Sequence, residues 1–399
     1  MDETTQLPLR VLVVDDDAVC ARTLAGMLRH VGPHSVDTAG SADEAVERLN
    51  TGTYDLILCD LNMPGRDGVE TMRLLAERQI RCPILLVSGA DHKILKAAQE
   101  LGKHRGLGVT GTLHKPFGLE QIKSALAHVA QVTSPRSRRP APVIPAAELD
   151  RGIAAEQLIL HYQPQLNLHT CQLEGAEALV RWQHPERGLL MPDTFISLAE
   201  SSGLIAPLTD WVMREAIRQA AIWRRSGLDI GVSVNLSAQT LRELDLPDRI
   251  AASTAQAGLN PSRITLEITE SGMTDDVDSL LDITTRLRIK GFLLAIDDFG
   301  TGFSSLTQLK RLPFTELKLD RTFVSGAATD GDARSLLESS VNLAKRLQLK
   351  TVAEGIETED EWNLLVWMGV DLGQGYYMAR PMAADKLLPW YTGWQAQVA

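Results

Sequence analysis

Cysteine is scarce in this sequence, and long apolar runs are absent. Only four of the 399 residues are cysteine, and no two of them have the CxxC spacing of a zinc or redox motif. No apolar run approaches the roughly 20 residues that a membrane-spanning helix requires. The amino-terminal segment MDETTQLPLR is acidic and lacks the basic-then-apolar order of a signal peptide. We therefore expect no disulfide or zinc site, no membrane insertion and a cytoplasmic location.

Acidic residues outnumber basic ones in this sequence, which argues against large polyanionic ligands. The formal net charge is −11 at pH 7, so we expect no binding of duplex nucleic acid, which needs a basic surface. A small phosphodiester can still bind, provided that metal ions or placed arginines invert the local field. The hydrophobic fraction of 44% and the charged fraction of 23% are those of a globular protein. A chain of 399 residues exceeds one ordinary core and predicts two domains.

The chain changes character twice, which predicts two domains joined by a linker. Over residues 8–130, five short apolar strands alternate with amphipathic helical patterns, as in a doubly wound, flavodoxin-like sheet. Residues 131–147 carry four prolines and three arginines without helical periodicity, which predicts an extended linker. The remaining residues, 148–399, match the roughly 250 residues of a (β/α)8 barrel. The predicted fold class is therefore α/β, with a doubly wound domain followed by a TIM-type barrel.

Polar residues follow four of the five strands predicted in residues 8–130, where an open α/β sheet binds its ligands. Asp15 and Asp16 follow the first strand, Asp60 the third, Ser88 the fourth and Lys115 the fifth. A single aspartate at a strand end often only caps the next helix or turn. Five polar residues on four strand ends favour a site instead. Carboxylates there can hold Mg²⁺, one aspartate can accept a phosphoryl group, and a hydroxyl and an ammonium can hold the phosphoryl oxygens.

The motifs at these strand ends are VVDDD, CDLNMPGRDG, VSGA and HKPF. Over residues 8–128 they resemble a response-regulator receiver domain. The resemblance implies one bound Mg²⁺ and phosphorylation by a sensor histidine kinase or phosphotransfer protein. The implied roles are phospho-acceptor for Asp60, Mg²⁺ ligands for Asp15 and Asp16, a backbone carbonyl for Asn62, a switch hydroxyl for Ser88 and the family lysine for Lys115.

Two further expectations come from this resemblance. The bond between Lys115 and Pro116 is predicted to be cis. Thr112 stands three residues before the lysine, where receivers usually have Tyr or Phe. We therefore expect the output signal to pass through repacking between domains or subunits rather than through a rotating aromatic side chain.

The second half of the chain places acidic or amide residues at the ends of successive apolar strands. The positions stand about one β/α unit apart, roughly 30 residues, with two units between the first and the second. All strands of a (β/α)8 barrel point the same way, so these side chains converge on one face. A ring of carboxylates repels itself unless cations neutralise it, and the pattern therefore predicts a metal site. The positions are Glu177, Asn235, Glu267, the pair Asp297 and Asp298, Asp320 and Glu354.

Seven motifs in this half occur in the order and spacing of one family. They are EALVRWQHP, VNLSAQTL, LEITES, AIDDFGTGFSSL, LKLDRTFV, AEGIET and GQGYYMARP. Together they resemble the EAL family of cyclic di-GMP phosphodiesterases over nearly all of residues 148–390. The resemblance implies hydrolysis of cyclic di-GMP to linear pGpG and a homodimer or higher homo-oligomer formed through barrel helices. It also implies a modified barrel, in which the first strand runs antiparallel to the others.

The EAL resemblance implies two divalent ions in the barrel. Their ligands are all oxygen atoms, which favours Mg²⁺ or Mn²⁺. Asp297 would bridge the two ions. The implied ligands are Glu177, Asn235, Glu267 and Asp297 for the first ion, with Asp298 and Asp320 as ligands or water-holding residues of the second.

The same resemblance assigns the remaining roles in the barrel. Glu354 would be the general base, and Lys318 would help to position the attacking water or the phosphate. The implied substrate contacts are Gln163, Arg181 and Gln374. The glycine-rich loop that follows Asp298 would be mobile, with support from Glu270 and Glu357.

Two other functions stay open beside that of a phosphorylation-controlled, two-component phosphodiesterase. A degenerate barrel can bind cyclic di-GMP as a receptor without turnover. Relatives of that kind usually lose metal ligands or the EAL glutamate, whereas every matched ligand is present here. The barrel can also act as a scaffold for other signalling proteins, and the sequence leaves that role open.

Overall fold

The computed structural model describes residues 8–32, 34–78, 80, 82–89, 92–133, 144–270, 276–300 and 306–398. The chain divides into two compact units, Met1–Val143 and Ile144–Ala399, which are described separately below. Among the described residues, no helix combines the length and the apolar character needed to cross a membrane.

The first unit is a five-stranded parallel sheet with the strand order β2-β1-β3-β4-β5. This order is that of a flavodoxin-like doubly wound fold, as the sequence predicted. The strands are β1 Arg10–Val14, β2 Ser35–Ala39, β3 Leu56–Asp60, β4 Ile84–Ser88 and β5 Val109–His114. The helices are α1 Ala18–Val31, α2 Ala42–Thr51, α3 Gly68–Glu77, α4 His92–His104 and α5 Leu119–Thr133.

Burial explains why the central strands β1, β3 and β4 of this sheet are almost entirely apolar. Every residue of β3 and β4 is buried, because helices cover both faces of the sheet. Helix α1 shows the complementary pattern, with its buried residues spaced three and four apart. Asp17 begins this helix by accepting hydrogen bonds from the backbone N–H groups of Val19 and Cys20. The carboxyl ends of the strands are thereby held at one edge of the sheet.

The second unit is a closed eight-stranded barrel, with two short strands at its edges. Its barrel strands are β6 Leu158–Asn167, β7 Leu173–His184, β9 Gly231–Leu236, β10 Ile264–Thr269, β11 Leu293–Phe299, β12 Glu316–Leu319, β13 Lys350–Ala353 and β14 Leu372–Gly373. The two short strands are β8 Gly188–Leu190 and β15 Met382–Ala383. Strand β6 pairs antiparallel with both β7 and β14, and the other barrel neighbours pair in parallel. The reversed first strand is therefore confirmed.

Helices surround this barrel in the usual alternation with the strands. They are α6 Ala146–Ala154, α7 Ile196–Ser202, α8 Ile205–Arg225, α9 Leu246–Gln256, α10 Val277–Ile289, α11 Leu306–Arg311, α12 Arg321–Val324, α13 Gly331–Arg346, α14 Glu359–Met368 and α15 Ala384–Val398. One continuous apolar core joins the helices to the outer faces of the strands.

The predicted linker, residues 131–147, is helical at both of its ends. Helix α5 continues through Thr133 and helix α6 begins at Ala146. The lack of helical periodicity in residues 131–147 therefore did not show where α5 ends or where α6 begins. Residues 134–143 lie outside the described part of the chain.

Candidate active site

Strand register brings the predicted acidic and amide residues to one end of the barrel. Glu267 on β10 lies directly opposite Asn235 on β9, and Thr269 lies opposite Asp297 on β11. Glu354 directly follows β13, and its backbone N–H donates to Leu319 of β12. The convergence follows from the parallel strands, whose carboxyl ends share one face.

Lys318 is the centre of this cluster. Its side chain is 1% exposed, and its Nζ lies 2.6 Å from Glu354 Oε1, 2.7 Å from Glu267 Oε2 and 3.2 Å from Asp297 Oδ1. Glu177 Oε2 lies further away, at 3.7 Å. The ammonium thus balances part of the negative charge of four carboxylates that would otherwise repel one another.

Two amide side chains hold the Glu177 carboxylate in place. Asn235 Nδ2 donates to Glu177 Oε1 at 3.0 Å, and Gln374 Nε2 donates to Glu177 Oε2 at 2.6 Å. Gln374 Nε2 also donates to Glu354 Oε1 at 3.0 Å. The two glutamates are therefore linked through one amide as well as through Lys318.

The buried charges differ in how readily they bind a proton. Burial raises the pKa of Glu354 to about 8, although the ammonium of Lys318 opposes this shift. Burial also raises the pKa of Glu267. Burial opposes ionisation of Glu177 too, but Lys318 and the two amide donors hold its pKa below the ordinary value. A carboxylate with a raised pKa is suited to proton transfer near neutral pH, and Glu354 has that property.

Burial affects Lys318 in the opposite sense. Burial disfavours the charged ammonium and so lowers its pKa. The nearby carboxylates of Glu177, Glu267 and Glu354 have the larger effect, and the pKa of Lys318 is raised well above the ordinary value. The lysine is therefore an ammonium at neutral pH and cannot itself act as a base.

The paired aspartates lie in a sharply turned segment at the end of β11. Asp298 has a φ of +55°, in the left-handed region that few residues other than glycine adopt, and its N–H donates to Asp297 Oδ1 at 3.0 Å. Burial and the carboxylates of Asp297 and Asp320 raise the pKa of Asp298.

The start of the predicted mobile loop is anchored at Gly300. The Gly300 N–H donates to Glu270 Oε2 at 2.7 Å. Gly300 has a φ of +91°, and an added Cβ would lie 2.5 Å from the ring of Phe323. Both facts require glycine at this position. Residues 301–305 of the loop lie outside the described residues.

Asp320 and Glu357 lie at the edge of the cluster. Asp320 Oδ1 caps α12 by accepting from the backbone N–H of Thr322 at 2.8 Å, so part of its hydrogen-bonding capacity is already used. Glu357 Oε1 forms an ion pair with Arg321 at 2.9 Å, on an exposed surface. Glu357 is thus placed beside the site rather than inside the group of buried carboxylates.

Two cavities open beside the cluster. One has a volume of about 230 Å³ and is lined by Gln163, Glu177, Asp297, Lys318, Glu354 and Gln374. The other has a volume of about 600 Å³, and its lining includes Asn235 and Asp298. Arg181 is buried, with Nη1 donating to the carbonyl of Val180 at 2.8 Å. Gln163 Nε2 donates to the carbonyl of Ala379 at 3.3 Å.

Sequence reasoning missed two polar residues that support the cluster. Gln165 Nε2 donates to Gln374 Oε1 at 3.1 Å. Gln165 lies two positions after Gln163 on one strand, so strand periodicity was a signal that both face the barrel interior. Glu361 accepts hydrogen bonds from the backbone N–H groups of Glu357 and Thr358 at the start of α14.

The donor set of the barrel fits hard divalent cations. It consists of carboxylate oxygens and one amide group, which Mg²⁺ and Mn²⁺ prefer, and it contains no thiol or imidazole. The carboxylates already surround a positively charged group, the Lys318 ammonium. The described residues therefore provide an environment that favours cations.

The first unit contains a second cluster of charged groups at its strand ends. Lys115 Nζ lies 2.8 Å from Asp15 Oδ2 and 2.9 Å from Asp60 Oδ2. Carboxylate oxygens of Asp15, Asp16 and Asp60 all lie within 4.8 Å of one another, which is close enough to share one cation. Asp15 and Asp60 are buried and Asp16 is exposed.

The other predicted residues of this cluster lie close by. Ser88 ends β4 and is fully buried. The backbone N–H of Asn62 approaches Asp60 Oδ1 at 3.4 Å. The bond between Lys115 and Pro116 is cis, as predicted.

The fold and the two clusters define a class of protein: a doubly wound unit with an acidic cluster and a lysine at its strand ends, followed by a barrel with a carboxylate-rich end. The family comparisons agree with this class. The family described as "EAL domain" matches residues 146–381, and the family described as "Response regulator receiver domain" matches residues 11–127. The chain belongs to the EAL domain family and carries a receiver domain in its first unit.

Individual relatives cover the chain to different extents. The cyclic di-GMP phosphodiesterase RocR of Pseudomonas aeruginosa is 33% identical over 96% of this chain and 99% of its own length. The bifunctional diguanylate cyclase/cyclic di-GMP phosphodiesterase MucR of the same organism is 42% identical, over 60% of this chain and 35% of its own length. A solved structure described as "PaMucR Phosphodiesterase, c-di-GMP complex" has a TM-score of 0.58 and 42% identity, covering 60% of this chain and 98% of that chain.

Proposed function

We propose that the barrel hydrolyses one phosphodiester bond of cyclic di-GMP to give linear pGpG, under the control of the receiver domain. The observation that carries this proposal is the group of four carboxylates around the buried Lys318 ammonium, with Asn235 and Gln374 bound to it. Membership of the EAL family supports it, as does the similarity to RocR along almost the whole chain.

Two Mg²⁺ or Mn²⁺ ions are the cofactors that these residues would hold. Such ions, when bound, lower the pKa of a shared water and stabilise charge on the phosphate. The ligands of the first ion would be Glu177, Asn235, Glu267 and Asp297, and those of the second Asp297, Asp298 and Asp320.

Glu354 is the general base of this proposal. Its Oε1 lies against Lys318 and Gln374, and its raised pKa matches the transfer of a proton near neutral pH. Lys318 keeps its positive charge at this position, so it does not transfer a proton. Its role in the proposal is to position the carboxylate of Glu354 and to stabilise the negative charge of the phosphate. The substrate phosphate would meet Arg181, whose planar guanidinium matches phosphate oxygens, and Gln163.

The first test is turnover by the purified protein. With Mg²⁺, cyclic di-GMP should be converted to pGpG, which chromatography of the products detects. Glu354→Gln keeps the shape of the side chain and removes the base, so turnover should fall by about 10²–10⁴-fold.

Binding measurements separate this proposal from the receptor function. Ca²⁺ positions water less strictly than Mg²⁺, so cyclic di-GMP should bind in its presence with little turnover. Isothermal titration under that condition should give a similar affinity for the wild type and for Glu354→Gln. Tight binding by a wild-type protein that never forms pGpG would instead establish a receptor, and loss of binding by Glu354→Gln would make Glu354 a ligand.

The receiver supplies the proposed control. Asp60 beside Lys115, Asp15 and Asp16 supports transfer of a phosphoryl group from a histidine kinase or phosphotransfer protein, with one Mg²⁺ bound. We further propose that the active form is a homodimer or a higher homo-oligomer, in which the loop after Asp298 senses the partner subunit.

A further inference from the structure

The amide of Gln374 has all of its donor and acceptor groups engaged inside the barrel. Its Nε2 donates to Glu177 Oε2 at 2.6 Å and to Glu354 Oε1 at 3.0 Å. Its Oε1 accepts from Gln165 Nε2 at 3.1 Å. Both glutamines are only 4% exposed. Both N–H groups of Gln374 are therefore in use, and neither is left to donate to a substrate, the partner that the sequence predicted.

Gln165 fixes which end of the Gln374 amide faces the glutamates. In its ionised form the Glu177 carboxylate only accepts hydrogen bonds, so the donor end of Gln374 must face it and the carbonyl of Gln374 must face away. The donor from Gln165 then satisfies that carbonyl. If it were lost, the buried carbonyl oxygen would have no partner in this direction, and an unpaired buried acceptor costs about 1–3 kcal/mol. Rotation of the amide would then withdraw its donors from both glutamates.

The opposite strand makes room for the Gln165 side chain. Gln165 on β6 pairs directly with Gly175 on β7. A Cβ added at Gly175 would lie 2.7 Å from Gln165 Oε1, and the nearest backbone atom, the carbonyl oxygen of Gly231, would be 3.4 Å away. Glycine is therefore needed here for the amide rather than for the backbone. Gly231, paired with Gly175 on β9, has only ordinary contacts, at 3.6 Å and beyond.

We propose that Gln165 is a positioning residue for the barrel reaction. It orients Gln374, and through Gln374 it holds Glu177 and Glu354 in their relative positions, with Gly175 providing the space. This inference rests on the proposed function for its chemistry. It also assigns to Gln374 the task of holding carboxylates rather than that of recognising the nucleotide.

The test compares Gln165→Met with the wild type. Methionine keeps the length of the side chain and removes the donor. Loss of a residue that orients metal ligands typically costs about 10–100-fold in metal affinity or activity, so kcat should fall by that factor. KM for cyclic di-GMP should stay within about twofold, because uniform substrate binding is not affected. Mn²⁺ binding, measured by electron paramagnetic resonance without substrate, should weaken as well.

Two glycine variants complete the experiment. Gly175→Ala displaces the Gln165 amide while leaving its chemistry intact, and should shift kcat and Mn²⁺ affinity in the same direction as Gln165→Met. Gly231→Ala adds the same methyl group on the neighbouring strand and should leave both values unchanged. If Gln165→Met does not fold, Gly175→Ala still tests the proposal.

The outcomes distinguish this inference from the proposed function. A raised KM with an unchanged kcat would make Gln374 a substrate contact and overturn the inference, and so would wild-type Mn²⁺ affinity and kcat in both Gln165→Met and Gly175→Ala. A wild-type protein without turnover would reject the phosphodiesterase. In that case the Mn²⁺ titrations would still decide whether Gln165 positions the ligands.

Discussion

At the scale of single residues, the site depends on one buried lysine among carboxylates. Lys318 is 1% exposed and contacts Glu267, Asp297 and Glu354 within 3.2 Å. Burying a charge without a partner is strongly unfavourable, so each of these groups requires the others. The cluster is therefore also a part of the folded structure that is sensitive to substitution.

Replacing Lys318 by methionine should destabilise the barrel in the absence of divalent cations. Removing one partner of a buried ion pair costs about 3–5 kcal/mol. Mg²⁺ should raise the unfolding temperature of Lys318→Met more than that of the wild type, because a site with one positive charge fewer attracts cations more strongly. All seven tryptophans, at positions from Trp182 onward, lie in the barrel unit, so tryptophan fluorescence with EDTA or Mg²⁺ follows the barrel alone.

The matched control is Lys350→Met. Lys350 pairs with Glu174 at 2.6 Å, but both side chains are more than one third exposed. Such a pair contributes about 0–1 kcal/mol, and its loss should leave the response to Mg²⁺ unchanged. Equal stability of Lys318→Met and the wild type in EDTA would show that the carboxylates do not need the lysine.

The acidic and amide residues of the site could be predicted because each stands within or directly after an apolar strand segment. The hydrogen bonds between them could not. Gln374 contacts Glu177 and Glu354, and one of these partners is almost 200 positions away in the chain. Which groups meet depends on strand register and on the direction of β6, neither of which a motif contains.

At the scale of secondary structure, hydrogen bonds at its N-terminus stabilise helix α14. Thr358 and Glu361 form a reciprocal capping pair, in which each side chain accepts from the backbone of the other. Glu361 also accepts from the backbone N–H of Glu357 at 2.8 Å and from that of Gly326 at 3.3 Å. The N-cap residue Thr358 lies four positions after Glu354, so the cap also supports the segment that carries the proposed base.

Glu361→Ala should lower the free energy of unfolding by about 1–3 kcal/mol, because three backbone N–H groups lose a charged acceptor. Glu361→Gln keeps one acceptor oxygen and can still form the capping pair, so its loss should be smaller. Urea unfolding followed by tryptophan fluorescence measures both variants. If alanine and glutamine were equally stable, the capping interaction would contribute nothing measurable.

Strand and helix patterns predicted most of the secondary-structure elements in both units, but not every residue at which an element begins or ends. The strand-like runs of the first unit overlap all five observed strands. The signal is clearest for β1, β3 and β4, because strands covered by helices on both faces are continuously apolar. The ends of α5 and α6 were missed, since composition alone does not show where a helix stops. The reversed direction of β6 came from the family resemblance alone, because parallel and antiparallel strands have the same side-chain alternation.

At the scale of the whole molecule, the proposed function requires the receiver domain to pass a signal to the barrel. We expect acetyl phosphate to phosphorylate Asp60, because the lysine and the two acidic neighbours that the transfer needs are in place. Intact-mass measurement should show one phosphoryl adduct on the wild type and none on Asp60→Asn. An adduct that persists in Asp60→Asn would place the modification elsewhere.

The same preparation tests the route of output. Thr112 lies on β5, opposite Leu86 of β4, where the family usually has an aromatic side chain. Thr112→Ala should therefore leave the effect of acetyl phosphate on turnover largely intact. Loss of that effect would show that the threonine itself transmits the signal.

The antiparallel pairing of β6 with β7 has a consequence for how the barrel forms during synthesis. These two strands make a long hairpin with nine paired positions, closed by a connection of only a few residues. Closing a short loop has a small entropic cost, so local hairpins form before contacts between distant segments. Gln163 and Glu177 face each other in this hairpin. The ribosome synthesises this hairpin before the strands that carry Asn235, Glu267 and Asp297. Those later strands therefore join a hairpin in which Gln163 and Glu177 are already aligned.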